Sequence, residues 1–246
     1  MELYAVYKPG RRAKSQNRQL SWHVCDLEKH YVEAHLALSL FQAVCPDTEG
    51  RAQRTAAYEA EAKVSVYGDL PAFYATTRAE ALEGWYRVRQ EVRDRGGDIG
   101  SILKTEPLFH ARSFLYCLDN FAKLLEVMTK ELHAPAALDS AFRVLEAGFP
   151  NLVAIRNSAH HMEDRSRGLK TGGKPIFPKT EEAIEGGRLR ILMVDGLMGT
   201  NYSCTMADGE LGQVDVSGRS LKVLQQVFQE VLDGFDWIDD MWEVLP

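Results

Sequence analysis

The chain has 246 residues, 45% apolar and 26% charged, which excludes a disordered chain, a collagen-like chain and a disulfide-stapled miniprotein. Such a length buries a sizeable core without staples and suits one large domain or one domain with an addition. A protein that grips nucleic acid over its whole surface is basic; at a net charge of −6, any nucleic-acid contact has to be local.

No stretch reaches the ~20 consecutive apolar residues of a membrane span. The best run, Leu36 to Cys45, is interrupted by Ser39 and Gln42. No apolar region follows the N-terminal charges, so no secretory signal is expected. Cys25, Cys45, Cys117 and Cys204 form no C-x-x-C, and they read as reduced thiols in a cytoplasm.

Residues 1–19 read as a basic arm carrying Lys8, Arg11, Arg12, Lys14 and Arg18, with a short strand at Leu3–Val6. A first helix follows, with Leu27, Tyr31, Ala34, Leu38, Phe41 and Cys45 at alternating steps of three and four, up to Pro46. A second, over 49–66, has Ala52, Ala56, Ala60 and Val64 four apart. A third, over 72–95, turns Ala81, Trp85, Val88 and Val92 inward and ends at Gly96-Gly97. The fourth, over 107–132, has two apolar stripes, Leu108–Ala111–Leu115–Leu118–Ala122–Leu125 and Phe114–Cys117–Phe121–Leu124–Met128. Only Arg112, Asp119, Lys123, Glu126 and Lys130 form a polar band, so this helix is expected at the centre of the bundle. A helix over 136–148 follows, and then one over 151–164 with Asn151 as its N-cap.

Beyond Arg165 comes a Gly- and Pro-rich loop, and then three short segments over 188–195, 200–206 and 211–216. Asp195-Gly196 and Asp208-Gly209 separate them, which predicts a three-stranded antiparallel meander. A helix over 218–233 and an acidic, aromatic tail packing on the bundle complete the chain. The expected fold is mainly α: a helical bundle over 20–164, a loop and β-meander insertion over 165–216, and a C-terminal helix and tail over 217–246.

The chemistry concentrates in Leu152–Arg165, LVAIRNSAHHMEDR. On a helical wheel, Leu152, Ile155, Ala159 and Met162 share one quadrant and form the buried face. Arg156 and His160 flank it, and Asn157 and His161 point the opposite way. Histidine serves as general acid or base near neutral pH, arginine holds a phosphate with a planar fork of donors, and asparagine orients an imidazole. Together these groups suit cleavage of an RNA phosphodiester by its own 2′-hydroxyl, which needs no metal. Because Asn157 and His161 face away from their own core, a site there needs a second wall. A second copy of the chain is the simplest supplier, so a homodimer is expected.

Arg156-Asn157-x-x-x-His161 resembles the R-[polar]-x-x-x-H motif of the HEPN superfamily, small α-helical proteins that usually dimerise around a late motif helix. Many members are metal-independent ribonucleases, and many others keep the fold without cleaving RNA. The flank His161-Met162-Glu163-Asp164-Arg165 is similar to the H-x-acidic-acidic-Arg extension of some bacterial members. The resemblance implies catalytic roles for Arg156 and His161, with Asn157 the polar residue after Arg; His160 doubles the histidine and joins the candidate set. It implies no cofactor and no metal. A role in defence or as a toxin, with a protein partner or antitoxin, follows from the resemblance alone. The alternative is a non-catalytic HEPN-like module that binds nucleotide, RNA or a protein.

The bare pattern is weak, since Arg18-x4-His23 matches it too, in an arm with no helical pattern before it. Asn157, the helical setting and the flank distinguish the second match. His23, Cys25, His30 and His35 lie close in sequence, but the five-residue spacing of His30 and His35 makes them diverge by about 140° on a helix. They are therefore read as solvated or flanking residues and not as a zinc site. Arg165, Arg167, Lys170, Lys174 and Lys179 form an acid-free basic run after the motif, a candidate RNA-backbone patch.

Overall fold

The computed structural model describes residues 6–10, 12–14, 17–45, 48–68, 77–97, 100–170, 172–184, 187–238 and 243–245. In chain order its elements are β1 (Val6–Lys8), β2 (Arg12–Lys14), α1 (Arg18–Val44), α2 (Thr48–Tyr67), α3 (Arg78–Asp94), α4 (Gly100–Thr129), α5 (Ala136–Gly148), α6 (Leu152–His160) and α7 (Met162–Ser166). There follow β3 (Leu169–Lys170), β4 (Lys174–Pro175), β5 (Glu181–Ile184), β6 (Gly187–Arg190), β7 (Gly196–Met198), β8 (Asn201–Thr205), β9 (Leu211–Asp215), α8 (Gly218–Asp233), β10 (Asp236–Ile238) and β11 (Glu243–Leu245). The protein is mainly helical with a small antiparallel three-stranded sheet, as the sequence predicts. The chain divides into two compact units, residues 1–40 with 110–246, and residues 41–109.

In the larger unit, the apolar stripe of α1 is buried at Leu20, Val24, Leu27, Tyr31, Ala34 and Leu38. Both stripes of α4 turn inward, with Ala111, Phe114, Leu115, Leu118, Phe121, Leu125 and Met128 at or near zero exposure. On α8 the six expected positions, Leu221, Leu224, Val227, Phe228, Val231 and Leu232, are fully buried. The Phe228 ring lies 5.3 Å from Tyr31 and 5.8 Å, edge on, from Phe121, so one side chain ties α8 to α1 and α4. Burial pushes the Tyr31 phenol well above its ordinary pKa.

The meander runs β7–β8–β9, with Gly196 opposite Ser203 and Ser203 opposite Gln213. The segment expected as its first strand, 188–195, is placed differently: its start, β6, pairs with β5 in a separate hairpin, and the meander begins at Gly196. Asp208-Gly209 does turn the chain between β8 and β9, with Gly209 at φ +89. Asp195-Gly196 does not, because Gly196 already pairs in the ladder. Residues 6–14 are also more than a solvated arm. β1 pairs with β11 and β2 with β10, Val6 is buried, and the Lys8 ammonium sits 2.8 Å from Glu28. The proposed strand at Leu3–Val6 lies largely outside the described residues.

In the smaller unit α2 packs on α3 around Ala62, Val88 and Val92, with Tyr58, Val66 and Tyr67 alongside. The buried face of α2 is therefore the one carrying Thr55 and Ala62. The expected face is turned out at Ala56, Ala60 and Val64, while the side chain of Ala52 lies outside the described residues. Small alanines carry little burial energy, and the larger Tyr58, Val66 and Tyr67 decide which side turns in. Tyr67 lies directly over Gly84, where an added Cβ would meet its hydroxyl at 2.4 Å. Thr77 and Glu80 close the N-terminus of α3 with a reciprocal capping box.

Among the described residues, no helix is long and apolar enough to cross a membrane.

Candidate functional site

Helix α6 is set between α4 and the meander. Leu152, Ile155 and Ala159 are buried, as the wheel predicts, and Ser158 is fully buried with them; Met162, expected on the same face, lies beyond the end of the helix and is half-buried. Gly212 on β9 permits the close approach: a Cβ there would meet Ile155 Cγ1 at 2.5 Å. The helix starts at Asn151, which takes the left-handed conformation at φ 68 and makes no side-chain cap; its carbonyl accepts from the Ile155 amide at 2.9 Å. The expected side-chain cap is thus replaced by a backbone turn, a conformation asparagine tolerates better than most residues.

The helix does not run on to 164. His161, at φ −104 and ψ 47, breaks it, and α7 starts afresh at Met162. The proposed catalytic histidine therefore sits at a corner between two short helices. Its ring lies 5.3 Å from that of His160 at an interplanar angle of 78°, and its Nδ1 is 3.7 Å from Glu163 Oε1. Asn157 and His160 are exposed, and His161 is half-buried.

Arg156 lies differently from the other motif residues. Its Nε is 2.9 Å from Asp119 Oδ2 on α4, and Lys123 Nζ meets the same oxygen at 2.7 Å. Asp119, read from sequence as part of a polar surface band, is only 2% exposed. Two cations on one carboxylate oxygen fix Arg156 beside the exposed edge of α6. No sequence signal marks this acid as buried, since on the wheel it sits among Arg112, Lys123, Glu126 and Lys130. A buried acid needs a cation, and Arg156 and Lys123 supply two.

The basic run divides. Arg165 is 1% exposed and donates from Nη1 to the Leu169 carbonyl at 2.6 Å. It anchors the segment after α7 from inside and does not face solvent, so it is not part of a surface patch. It falls seven residues after Ser158, about 20° away on a continuous wheel and so on the buried side. Arg167 is exposed but engaged by Asp164 at 2.6 Å. Lys170 is half-buried and Lys174 exposed. Lys179 holds Glu210 at 3.0 Å. Phe177, which the sequence reading passed over, is 70% exposed between these lysines.

A buried polar group lies behind α6. Arg112 on α4 holds Asp195 at 2.7 Å, and Asp195 lies beside the fully buried Tyr202 hydroxyl. Burial and that carboxylate push the phenol far above its ordinary range. Cys204 donates to the Ile155 carbonyl at 3.7 Å, and burial pushes its thiol up to about 12. Cys117 is raised to about 11, also by burial. Because the thiolate is the reactive form, iodoacetamide at pH 8 should label exposed Cys25 in the folded protein and spare Cys117 and Cys204 until denaturant is added. Mass spectrometry of the alkylated peptides reads this directly; labelling of Cys204 at the rate of Cys25 would contradict its burial.

Among the described residues, His161, Glu163 and Asp164 bring ligand atoms within 4.8 Å of one another, a set able to hold a divalent ion, although Asp164 already serves Arg167. Of the early histidines, His30 pairs with Glu33 at 3.0 Å, and Cys25 stays exposed. His23 lies on α1, as does Arg18, so a helical setting does not separate the two Arg-x4-His matches. The first match also has a polar residue, Gln19, after its arginine, so the acidic flank Glu163-Asp164 is what sets the second apart. Comparison with protein families, curated proteins and solved structures finds no match to this chain.

Proposed function

We propose that the protein is a metal-independent endoribonuclease of HEPN type, acting in a cytoplasm, where its four free thiols stay reduced. The observation that carries this reading is the edge of α6, where Asn157, His160 and His161 are accessible beside an arginine held in place by Asp119. In the proposed reaction an unprotonated His161 takes the proton of a ribose 2′-hydroxyl. The 2′-oxygen attacks phosphorus, the bond to the 5′-oxygen breaks, and a 2′,3′-cyclic phosphate forms. The leaving 5′-oxygen takes a proton from a second imidazole, that of His160 or of His161 in a second copy of the chain. Arg156 holds the non-bridging oxygens, and Asn157 orients the His161 ring. Lys170 and Lys174 receive the flanking backbone. The test is incubation with mixed RNA, and with DNA of the same sequence, in EDTA. RNA should be cut and DNA, lacking the 2′-hydroxyl, should not.

The same reading makes the protein a homodimer around α6, with exposed Asn157 and half-buried His161 at the interface. Light scattering at micromolar concentration should give twice the mass of the chain; a monomer would leave the cleft without its second wall.

One observation favours a second reading, a non-catalytic module of the same type that binds nucleotide, RNA or a protein partner, such as an antitoxin if the chain is a toxin. Arg156 already has a carboxylate, and an arginine committed to a buried acid is a structural device in many folds. Binding of RNA without cleavage by the wild type would select this reading.

A further inference from the structure

The segment after β4 presents Phe177 to solvent, 70% exposed, on a backbone held at both ends. On one side Ile176 is buried, and its amide donates to the Gly168 carbonyl at 2.8 Å. On the other, the Lys179 amide donates to the Gly209 carbonyl at 2.9 Å, and Gly209 comes so close to the Phe177 carbonyl that a Cβ there would strike it. Pro178 fixes its own φ and disfavours helical backbone at Phe177. The ring is therefore carried on a fixed strap of chain and not on a loose loop.

Phe177 lines a groove of about 330 Å³, room for about one nucleotide. Lys170, Lys179 and Arg190 line it too, against a single carboxylate, Asp208, which accepts from the Glu210 amide at 3.0 Å and so belongs to the β8–β9 turn. Lys179 is paired with Glu210 at 3.0 Å and Arg190 with Glu181 at 3.4 Å, but exposed pairs of this kind are weak enough for a phosphate to compete. Lys170 has no acid partner among the described residues, and neither has Lys174, which stands directly opposite it across the β3–β4 ladder. Like charges opposite one another destabilise a ladder, and an anion between the two ammonium groups removes that cost.

We propose that this groove is a platform for single-stranded RNA, in which one base stacks on Phe177 and the flanking phosphates meet Lys170, Lys174 and Arg190. Every base has a π-face, so the platform selects an unpaired strand and not a sequence. A duplex keeps its bases stacked on one another. A run of carboxylates on a peptide satisfies the lysines and leaves Phe177 uncovered. The inference rests on the reading that the protein acts on RNA, and it adds a grip on the strand outside the motif helix.

Fluorescence anisotropy with a labelled, single-stranded 2′-O-methyl RNA of about eight nucleotides tests it, because that strand keeps its bases and phosphates but lacks the free 2′-hydroxyl that cleavage needs. Phe177→Ala should weaken binding on the order of tenfold, the worth of one stacked base, and should melt as wild type does because the ring is exposed. Phe177→Trp should bind at least as tightly as wild type, and the strand should quench the added indole. The double change Lys170→Gln, Lys174→Gln should flatten the salt dependence by roughly 1.4 in log–log slope, about 0.7 for each phosphate released from a single strand. Tyr86→Ala, a comparably exposed ring on α3, should bind as wild type does. No binding by wild type at micromolar concentration, unchanged binding by Phe177→Ala, no quenching in Phe177→Trp, or a duplex or oligoglutamate bound as tightly as the single strand would overturn the platform. RNA cleavage by a wild type whose strand binding survives Phe177→Ala would overturn the platform and leave the nuclease reading standing. Strand binding that Phe177→Ala removes, in a protein that cuts no RNA, would support the platform and sink the nuclease reading.

Discussion

Replacing His161 with alanine should lower RNA cleavage by about 10²–10⁴-fold, the usual contribution of a general acid–base group. His161 stands at the corner between α6 and α7, half-exposed, so its removal leaves no buried void and the loss should be chemical. Arg156→Ala should disable the reaction as well, and Arg156→Lys should restore it only in part, because an ammonium lacks the planar fork that meets both Asp119 and a phosphate. His23→Ala, at the other Arg-x4-His match, should leave the rate unchanged. Initial rates on one labelled RNA across the four variants check this. Equal rates for wild type and His161→Ala would assign the activity to another site.

Phe228→Ala should strongly destabilise the larger unit. The side chain is fully buried and its ring touches Tyr31 and Phe121, so truncation opens a cavity where α1, α4 and α8 meet. Loss of a buried phenylalanine costs about 3–5 kcal/mol, a large share of the ~5–15 kcal/mol that holds a domain folded. For a unit of this size the melting temperature should fall by roughly 6–20 °C, read by circular dichroism. His160→Ala, an exposed position, should melt as wild type does. A Phe228→Ala melt within a degree or two of wild type would mean that the aromatic cluster is not the core of this unit.

The parts of the fold that were legible in the sequence are those where apolar side chains recur at helical steps and are large. All six positions expected on α8 are buried, and α5 begins at Ala136 and ends at Gly148 as read. Where the repeating residue is alanine, as on α2, periodicity alone points to the wrong side, because bulkier neighbours decide the packing. The meander was legible in kind but not in register. Asp-Gly marks a hairpin only when both residues fall outside the ladder, and Gly196 lies within it. The pairings of β1 with β11 and β2 with β10 join the two ends of the chain, which no local pattern encodes.

The candidate site divides along similar lines. The wheel sorted Leu152, Ile155 and Ala159 from Asn157 and His160 correctly because α6 is regular there. It carried the helix past His161, since no proline or glycine marks the break. Two charged residues, Asp119 and Arg165, were read as surface groups and lie inside. A charge count along the chain does not see burial; on the wheel Asp119 falls inside the polar band of α4, and Arg165 falls beside Ser158, whose own burial only the structure shows.

The most direct test of the central claim, that the edge of α6 cuts RNA through its own 2′-hydroxyl, is an end-group determination on RNA incubated with the protein in EDTA, wild type and His161→Ala side by side. The account predicts 2′,3′-cyclic phosphate and 5′-hydroxyl ends from the wild type and intact RNA from the variant. Cleavage that EDTA abolishes, 5′-phosphate ends, or identical products from both proteins would contradict it.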